Sequence, residues 1–233
     1  QYGADVIVVH DRGDIGECIN ECMSLAMKMQ EENPHVFVPH QFENPANPAV
    51  QREVTGEEIL SQVNGPIHGF CSGIGTGGTL TGIGETLKAA NPDITIWAIE
   101  PEDAAILSGG LIGTHIQMGI GDGLIPKILD TNCSDEICII SDEEAISVSK
   151  DLARKEGIMC GISSGTNVAA ALKLAAKLGE GKTVVTIAVP VYDTDGSAIG
   201  VTGIDMCIDQ ILQMMEQNKI GNNGSVTLFA EDG

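Results

Sequence analysis

The stretch that decides the fold, residues 72–84, reads SGIGTGGTLTGIG. It follows a short apolar run and precedes a segment with helical periodicity. Glycines let a backbone turn tightly and approach a ligand closely. Consecutive N–H groups and the positive end of the following helix then make an anion site, to which threonine hydroxyls add donors. Residues 73–79 therefore predict a phosphate-binding loop between a strand and a helix.

The local pattern of this loop does not say which phosphate it binds. Gly73, Gly75 and Gly78 satisfy the spacing G-x-G-x-x-G, and Glu100 closes the next predicted strand. A Rossmann site for NAD asks for this glycine pattern and for a carboxylate about 20 residues further on. The pattern alone therefore leaves NAD binding open.

Outward from the loop, strand-like and helical segments alternate. Predicted strands cover residues 4–10, 36–38, 67–72, 94–99 and 183–189. Predicted helices cover 15–31, 45–64 with a break around Gly56, 80–90, 141–156 from a Ser141/Glu144 capping box, and 166–178 ended by Gly179. Residues 101–132 read as irregular, and 161–165 as a second small-residue loop. Such alternation predicts a mostly parallel sheet with helices on both faces.

The composition excludes several classes of partner. The net charge is −21, from 33 acidic and 12 basic residues, which disfavours nucleic acid and anionic membranes. No run approaches the roughly 20 apolar residues of a membrane span. The seven cysteines and five histidines lack the spacing of metal ligands, so no metal site is predicted. Free thiols in a reducing cytosol are expected for residues 1–189.

Both ends of the sequence look interrupted. Residues 1–5 read as the end of a helix that runs directly into a strand, without a starting methionine. The sequence then stops at Glu231-Asp232-Gly233, inside a strand-like region. We expect a cut at the N-terminus and a second one at the C-terminus.

Several ordered motifs beside the glycine loop resemble those of cysteine synthases, also called O-acetylserine sulfhydrylases. These enzymes use pyridoxal 5′-phosphate (PLP) and belong to fold type II. Residues 41–48 match QFENPANP, and residues 116–126 (IQMGIGDGLIP) are similar to IQGIGAGFIP with one extra residue near Met118. Shorter matches are TGEEI at 55–59, IEP at 99–101, LSGG at 107–110, EG at 156–157 and GISSG at 161–165. The resemblance implies a three-layer, tryptophan-synthase-beta-like α/β fold, truncated at its N-terminus.

The resemblance also implies roles for individual residues. The PLP phosphate would be held by Gly75, Thr76, Gly77, Gly78 and Thr79. Ser163 would bond the pyridine nitrogen, although by itself it reads as a helix N-cap. Gln41 would contact the substrate carboxylate, although by itself it reads as a polar residue at a strand end. Residues 119–123 would line the entrance to the site.

The family replaces the acetyl group of O-acetylserine with sulfide, and its Schiff-base lysine lies in an SVKDR-like segment before an SGNTG-like loop. Neither motif occurs in this sequence. The nine lysines all have polar, helical or surface-like contexts: Lys28, Lys88, Lys127, Lys150, Lys155, Lys173, Lys177, Lys182 and Lys219. No catalytic residue is therefore assigned, and the chain alone is expected to be inactive. The resemblance implies a small amino-acid substrate, a homodimer and a cytoplasmic location.

Residues 190–233 have an antiparallel α+β pattern, unlike the strand–helix alternation of residues 1–189, and form a second predicted unit. Residues 191–205 (VYDTDGSAIGVTGID) read as two strands joined by a hairpin turn, before a helix at 206–217 and a strand at 226–229. The hairpin, together with 221–226 and 231–233, resembles part of a Cache sensor domain. Asp205 would then be a ligand-binding carboxylate or, more simply, a helix cap. The expectation is a chimera of two fragments, and the alternative is one divergent enzyme whose C-terminus drifted by chance. The alternative function is a ligand-sensing module through the Cache-like tail, which by itself would suggest an extracytoplasmic location.

Overall fold

A computed structural model describes residues 5–10, 15–110 and 112–187, and the backbone alone of residues 190–192 and 198–201. Helices and strands alternate along most of this length. The helices are α1 (Ile15–Glu32), α2 (Ala46–Val50), α3 (Glu57–Gln62), α4 (Gly78–Ala90), α5 (Asp142–Asp151) and α6 (Ile162–Leu178). The strands are β1 (Gly69–Gly73), β2 (Thr95–Pro101), β3 (Glu136–Ile140), β4 (Val184–Thr186), β5 (Pro190–Tyr192) and β6 (Ala198–Val201).

Strands β1 to β4 form one parallel sheet in the order β3-β2-β1-β4. Gly69 of β1 lies opposite Thr95 of β2 and Val184 of β4, so the three strands begin at the same level. Parallel neighbours need crossover connections. Helix α4 connects β1 to β2, a long run with one short 3-10 turn connects β2 to β3, and α5 and α6 lie between β3 and β4. The predicted parallel α/β sheet is confirmed.

The core is divided between the two faces of this sheet. Ile96 and Ala98 of β2 pack in a cluster with residues of α4, whereas Trp97 and Ile99 pack in a second cluster with residues of α5 and α6. Neighbouring strand residues point to opposite faces, so the two clusters mark helix layers on opposite sides. The result is the expected three-layer arrangement, in which each fully buried leucine or isoleucine contributes about 2 kcal/mol.

Helices α2 and α3 are joined by a π-helical turn, Gln51–Gly56, rather than by a break. Gly56 itself is helical, with φ of −61°, so the predicted break around Gly56 is wrong. A Cβ atom on Gly56 would lie 2.7 Å from the side chain of Thr86 in α4. Glycine at this position therefore allows the π-helical turn to pack closely against α4, and it ends neither α2 nor α3.

Two predicted strands are absent, and one strand was missed. Residues 5–10 and 36–38 have no strand structure, because an apolar run becomes a strand only where another strand pairs with it. No element was predicted between residue 132 and Ser141, where β3 lies and pairs with β2 at the edge of the described sheet. Its Ile137 and Ile139 are partly exposed while Cys138 and Ile140 are buried, as expected for an edge strand.

Strands β5 and β6 form a separate antiparallel pair, in which Val191 lies opposite Gly200. This pairing confirms that the two predicted strand-like runs pair with each other; the predicted turn between them lies outside the described residues. The predicted helix at 206–217, the predicted strand at 226–229 and Asp205 lie outside the described residues.

Membrane-spanning helices and metal-binding clusters are both absent from the described part of the chain. No helix there is long and apolar enough to cross a lipid bilayer. No group of three or more histidine, cysteine, aspartate or glutamate side chains there is arranged to hold a metal ion.

Candidate cofactor site

The glycine loop lies between the end of β1 and the start of α4. Its last residue, Gly77, precedes the helix with φ of +80°, a conformation that costs other L-residues about 1–2 kcal/mol. A Cβ atom at Gly77 would also lie 2.7 Å from Cβ of Leu129. The first turn of α4 leaves the N–H groups of Thr79 and Leu80 without acceptors inside the helix. The loop therefore presents backbone donors and a helix N-terminus, as an anion site requires.

Asn47 connects this loop to the segment that contains Gln41. Its side-chain amide donates to Oγ1 of Thr76 and to the carbonyl oxygen of Gln41, each at 3.0 Å. A Cβ atom on Gly78 would lie 2.0 Å from Oδ1 of Asn47, so this close approach requires glycine. The structure thus brings two predicted binding segments together through a residue that the sequence analysis did not single out. The sequence feature that could have identified Asn47 is its place within the QFENPANP motif.

The backbone at His40 is unusual and sets the path of the chain into Gln41. His40 has φ of +55°, which is uncommon for a residue with a side chain. Its carbonyl oxygen accepts the N–H groups of Glu43 at 2.9 Å and Asn44 at 2.8 Å. Strained backbone of this kind persists where the surrounding structure holds it, often at functional sites. The side chain of Gln41 is exposed.

Residues 119–123 lie directly against the glycine loop. The N–H of Gly121 donates to the carbonyl oxygen of Ile74 at 2.9 Å. A Cβ atom on Gly73 would come within 2.8 Å of Ile120. The resemblance placed this segment at the entrance to the cofactor site, and its contact with the glycine loop agrees with that placement.

Gln117 anchors the segment that immediately precedes residues 119–123. Its side chain is fully buried, and its Nε2 donates to the carbonyl of Ile140 at 3.0 Å and to Asp142 at 2.9 Å. Its Oε1 accepts the hydroxyl of Thr166 at 2.7 Å. Gln117 therefore ties the loop to the end of β3 and to the starts of α5 and α6. This glutamine stands within the family-like motif at residues 116–126, from which no role for it was predicted.

His115 adds a second anchor. Its Nδ1 accepts the N–H of Gln117 at 3.1 Å, so the ring proton of the neutral imidazole lies on Nε2. That Nε2 lies 3.2 Å from the carbonyl oxygen of Gly121 and donates to it. The ring thus fixes Gly121 in position beside the glycine loop.

Ser163 lies in the first turn of α6, which begins at Ile162 after the N-cap Gly161. The predicted loop at 161–165 is therefore mostly helix, and Ser163 is not the N-cap. Asn167, one turn later, accepts the N–H of Gly73 at 2.8 Å. Side chains four residues apart share one face of a helix, so Ser163 lies on the face of α6 that meets the end of β1. The cofactor role of Ser163 stays a prediction.

Glu100, which an NAD site would use for the ribose, has another task. Its side chain is buried, with 5% of its surface exposed. Its carboxylate accepts the N–H of Leu107 at 2.7 Å, and both the N–H and the hydroxyl of Ser108, at 3.1 and 2.9 Å. This carboxylate holds the LSGG segment and is not presented to a ribose.

The lysines of the described residues are mostly engaged in ion pairs. Lys127 lies in the sequence just after the entrance loop, and its Nζ is 2.5 Å from a carboxylate oxygen of Glu43. The hydrogen bond from Lys127 lowers the pKa of the Glu43 carboxyl below its ordinary value. Five further lysines form ion pairs with acidic residues: Lys28, Lys88, Lys155, Lys173 and Lys177. These contexts agree with the surface-like setting expected for them.

A family model described as pyridoxal-phosphate dependent enzyme matches residues 1–189. The chain belongs to this family. PLP is therefore the cofactor of the family, as the motifs predicted, and the NAD alternative is not supported. The donors of the glycine loop fit a phosphate group, since they are backbone N–H groups and threonine hydroxyls with a helix N-terminus behind them.

Individual relatives show which members of this family the chain is similar to. A cysteine synthase of Staphylococcus aureus is 44% identical over 187 residues, which are 80% of this chain and 59% of that protein. The chain thus spans well under two thirds of this relative. A cysteine synthase structure from Entamoeba histolytica matches with a TM-score of 0.72 and 33% identity, over 96% of this chain and 60% of that one. An O-acetylserine dependent cystathionine beta-synthase from Helicobacter pylori matches with a TM-score of 0.66 and 40% identity, over 73% of this chain and 54% of that one.

Proposed function

We propose that this chain carries the phosphate-binding part of a cysteine-synthase-type enzyme, which forms cysteine from O-acetylserine and sulfide. The observation that carries the proposal is the junction at Asn47. This one amide holds Thr76 of the phosphate loop and the backbone of Gln41, the residue expected to meet the substrate carboxylate. A single side chain thereby sets the spacing between the cofactor phosphate and the substrate.

Each residue of the site has a defined task in this proposal. The backbone N–H groups of residues 75–79 and the hydroxyls of Thr76 and Thr79 hold the phosphate. Ser163 offers a neutral hydroxyl to the pyridine nitrogen, and Gln41 orients the substrate through its carboxylate. When bound, PLP withdraws electrons from the substrate and makes its α-proton acidic. A neutral partner at the ring nitrogen suits elimination at the β-carbon, which needs only partial electron withdrawal.

Within these 233 residues the resemblance assigns no lysine to the cofactor. We therefore propose that the chain by itself binds PLP through noncovalent contacts and does not form cysteine. Lys127 is the first lysine to examine for a covalent adduct with PLP, because it follows the entrance loop in sequence and pairs with Glu43. Its side chain is 74% exposed in the described structure, which is the environment of a surface ion pair.

The first experiment is a titration of the purified chain with PLP, followed by absorbance and fluorescence. Borohydride reduction and mass mapping then report any covalent adduct. Saturable binding without an adduct supports both statements. A stoichiometric adduct on one lysine contradicts noncovalent binding, and an absence of saturable binding contradicts the phosphate site itself.

A matched pair of variants makes this titration specific to the loop. Thr76→Ala removes a phosphate donor and the acceptor of Asn47, and PLP affinity is expected to fall about tenfold, since a hydrogen bond to a charged group is worth about 1.5–3 kcal/mol. Thr95→Ala, at the opposite end of the sheet, is the control and should bind PLP as the parent chain does. Equal affinities in the two variants would contradict phosphate binding at this loop.

Further parts of the proposal concern the whole molecule. We propose a boundary near residue 189, between a PLP-enzyme unit at 1–189 and a Cache-like piece at 190–233. A homodimer, a cytoplasmic location for the enzyme part and a chimeric origin belong to the same proposal. The hairpin of β5 and β6 is consistent with the start of the Cache-like piece. Limited proteolysis with mass mapping would test the boundary, since cleavage should concentrate near residue 190.

A further inference from the structure

Asn167 of α6 joins the ends of two strands at the edge of the sheet where the glycine loop begins. Strands β1 and β4 pair as far as Cys71 and Thr186. Beyond that point, Oδ1 of Asn167 accepts the N–H of Gly73 at 2.8 Å, and its Nδ2 donates to the carbonyl of Ile187 at 3.1 Å. An amide side chain offers both an acceptor and donors, so it replaces the strand-to-strand hydrogen bonds where the ladder stops.

The start of α6 is held against the site by two further contacts. The thiol of Cys71, which is fully buried, lies 3.8 Å from the carbonyl oxygen of Asn167. The neighbouring Thr166 donates its hydroxyl at 2.7 Å to Gln117, which anchors the segment before the entrance loop. The first turns of α6 are therefore fixed both to the end of β1 and to the entrance segment.

The same face of α6 carries Ser163, one turn before Asn167. Four residues correspond to a rise of about 6 Å along a helix, so the two side chains are neighbours. In the proposed function, Ser163 meets the pyridine nitrogen and residues 75–79 hold the phosphate. Gly73 lies two residues before Gly75, so the bond from Gly73 to Asn167 ties the phosphate loop to the helix that carries Ser163. The nitrogen and the carbon that bears the phosphate group belong to one rigid ring, which therefore requires one fixed spacing between its two partners.

We propose that Asn167 is the positioning residue that sets this spacing, an inference that rests on the proposed function. Asn167 acts through Gly73 on the phosphate loop and through α6 on Ser163. Its amide is neutral, which suits a place beside an anion site, because a carboxylate there would repel the phosphate. When two subsites are held at the right spacing, binding at one raises the effective concentration of the ligand at the other. Loss of Asn167 should therefore weaken this coupling without removing either subsite.

The test separates the two halves of the cofactor. The ligand 4-deoxypyridoxine 5′-phosphate carries the ring nitrogen and the phosphate but lacks the aldehyde, so it forms no covalent adduct with a lysine. Its halves are 4-deoxypyridoxine and methyl phosphate. Fluorescence titration of the purified chain gives the association constant of the joined ligand, and competition gives the constants of the two halves. The coupling factor is the first constant divided by the product of the other two.

Three variants assign this coupling to one side chain. Asn167→Ala removes both hydrogen bonds, so the coupling factor should fall about tenfold while each half binds as in the parent chain. Asn167→Asp keeps the acceptor for Gly73 but loses the donor to Ile187, so the factor should fall about threefold. Its added charge weakens the joined ligand and methyl phosphate alike and cancels in the factor. Asn91→Ala is the matched control, since Nδ2 of Asn91 donates to the carbonyl of Ile67 at 2.9 Å near the opposite end of β1, and its loss should leave the factor unchanged.

The outcomes separate this inference from the proposed function. An unchanged coupling factor in Asn167→Ala, with the joined ligand still bound, overturns the inference and leaves the cofactor site intact. An equal fall in Asn91→Ala overturns it as well, because a general loss of structure then explains the result. If Asn167→Ala does not fold, Asn167→Asp decides by the same criterion. Failure of the parent chain to bind the joined ligand overturns the proposed function and this inference with it.

Discussion

The glycine loop at 73–79 and the small-residue segment at 161–165 have similar compositions and both precede a helix, yet they fold differently. The first is a true loop, whose Gly77 has φ of +80° before α4 begins. The second is helical from Ile162 onward, after an extended N-cap at Gly161 with φ of −72°. Similar residues therefore produce a tight turn before a helix in one place and the first turn of a helix in the other.

The glycines explain this difference, because they serve two separate purposes. Gly77 is needed for its backbone conformation. Gly165 is needed for space, since a Cβ atom there would lie 2.1 Å from the carbonyl oxygen of Ala145 in α5. Asn167 connects the two regions by accepting the N–H of Gly73 and donating to the carbonyl of Ile187 at 3.1 Å. A glycine-rich motif therefore predicts an unusual local structure. It does not predict whether the glycine is needed for its backbone conformation or for close packing.

The largest effect is expected from Gly165→Ala. An alanine gains about 1 kcal/mol of helix propensity over glycine, but here its methyl group would collide with backbone atoms of α5. We expect the free energy of unfolding to fall by about 3 kcal/mol, measured by urea denaturation. Leu172→Ala, at a side chain of α6 that is 60% exposed, is the control and should change stability by less than about 0.5 kcal/mol. A stabilised Gly165→Ala variant would show that the segment does not pack against α5 as described.

A smaller loss of stability is expected from Gly77→Ala, together with a loss of PLP binding. The positive φ and the contact with Leu129 should together cost about 2 kcal/mol. The matched control is Gly181→Ala, where φ is +76° and no atom lies within 4 Å of the added Cβ, so only the conformational cost of about 1 kcal/mol applies. If the two variants lose equal stability and bind PLP equally, close packing at Gly77 is not a feature of the site.

The smallest effect, counted per pH unit, concerns Cys71, whose thiol contacts the carbonyl of Asn167 where the two regions meet. Burial raises the pKa of Cys71 from 9.0 to about 12. Above pH 9 the unfolded chain loses this proton and the folded chain keeps it, so the stability that is present below pH 9 is lost as the pH rises toward 12. The loss should be about 1.4 kcal/mol per pH unit.

Denaturation curves between pH 9 and pH 11 measure this slope. Cys71→Ala should reduce the dependence on pH by roughly that amount, whereas Cys22→Ser, at an exposed position of α1, should not change it. Cys133 contributes in the same direction, since burial raises its pKa to about 11. An unaltered slope in Cys71→Ala would mean that the thiol is accessible to water in the folded chain.

Much of the fold followed from local pattern. The helix after the phosphate loop, the Ser141 cap on α5 and the termination of α6 at Gly179 were all predicted, and Ser141 does accept the N–H of Glu144. The predictions failed where pairing decides the outcome. Residues 36–38 are apolar enough for a strand but have no strand structure, while β3 forms because β2 offers it a neighbour.

The sequence by itself determined the family, the parallel sheet and the glycine loop between β1 and α4, because glycine patterns, helix caps and apolar periodicity act over a few residues. Tertiary structure decided the position of Asn47 between Thr76 and Gln41, the anchoring of the entrance loop by Gln117, and the place of Asn167 between the ends of β1 and β4. These contacts join residues that are far apart in the chain. Their geometry depends on how the helices pack on the sheet, and no local pattern contains that information.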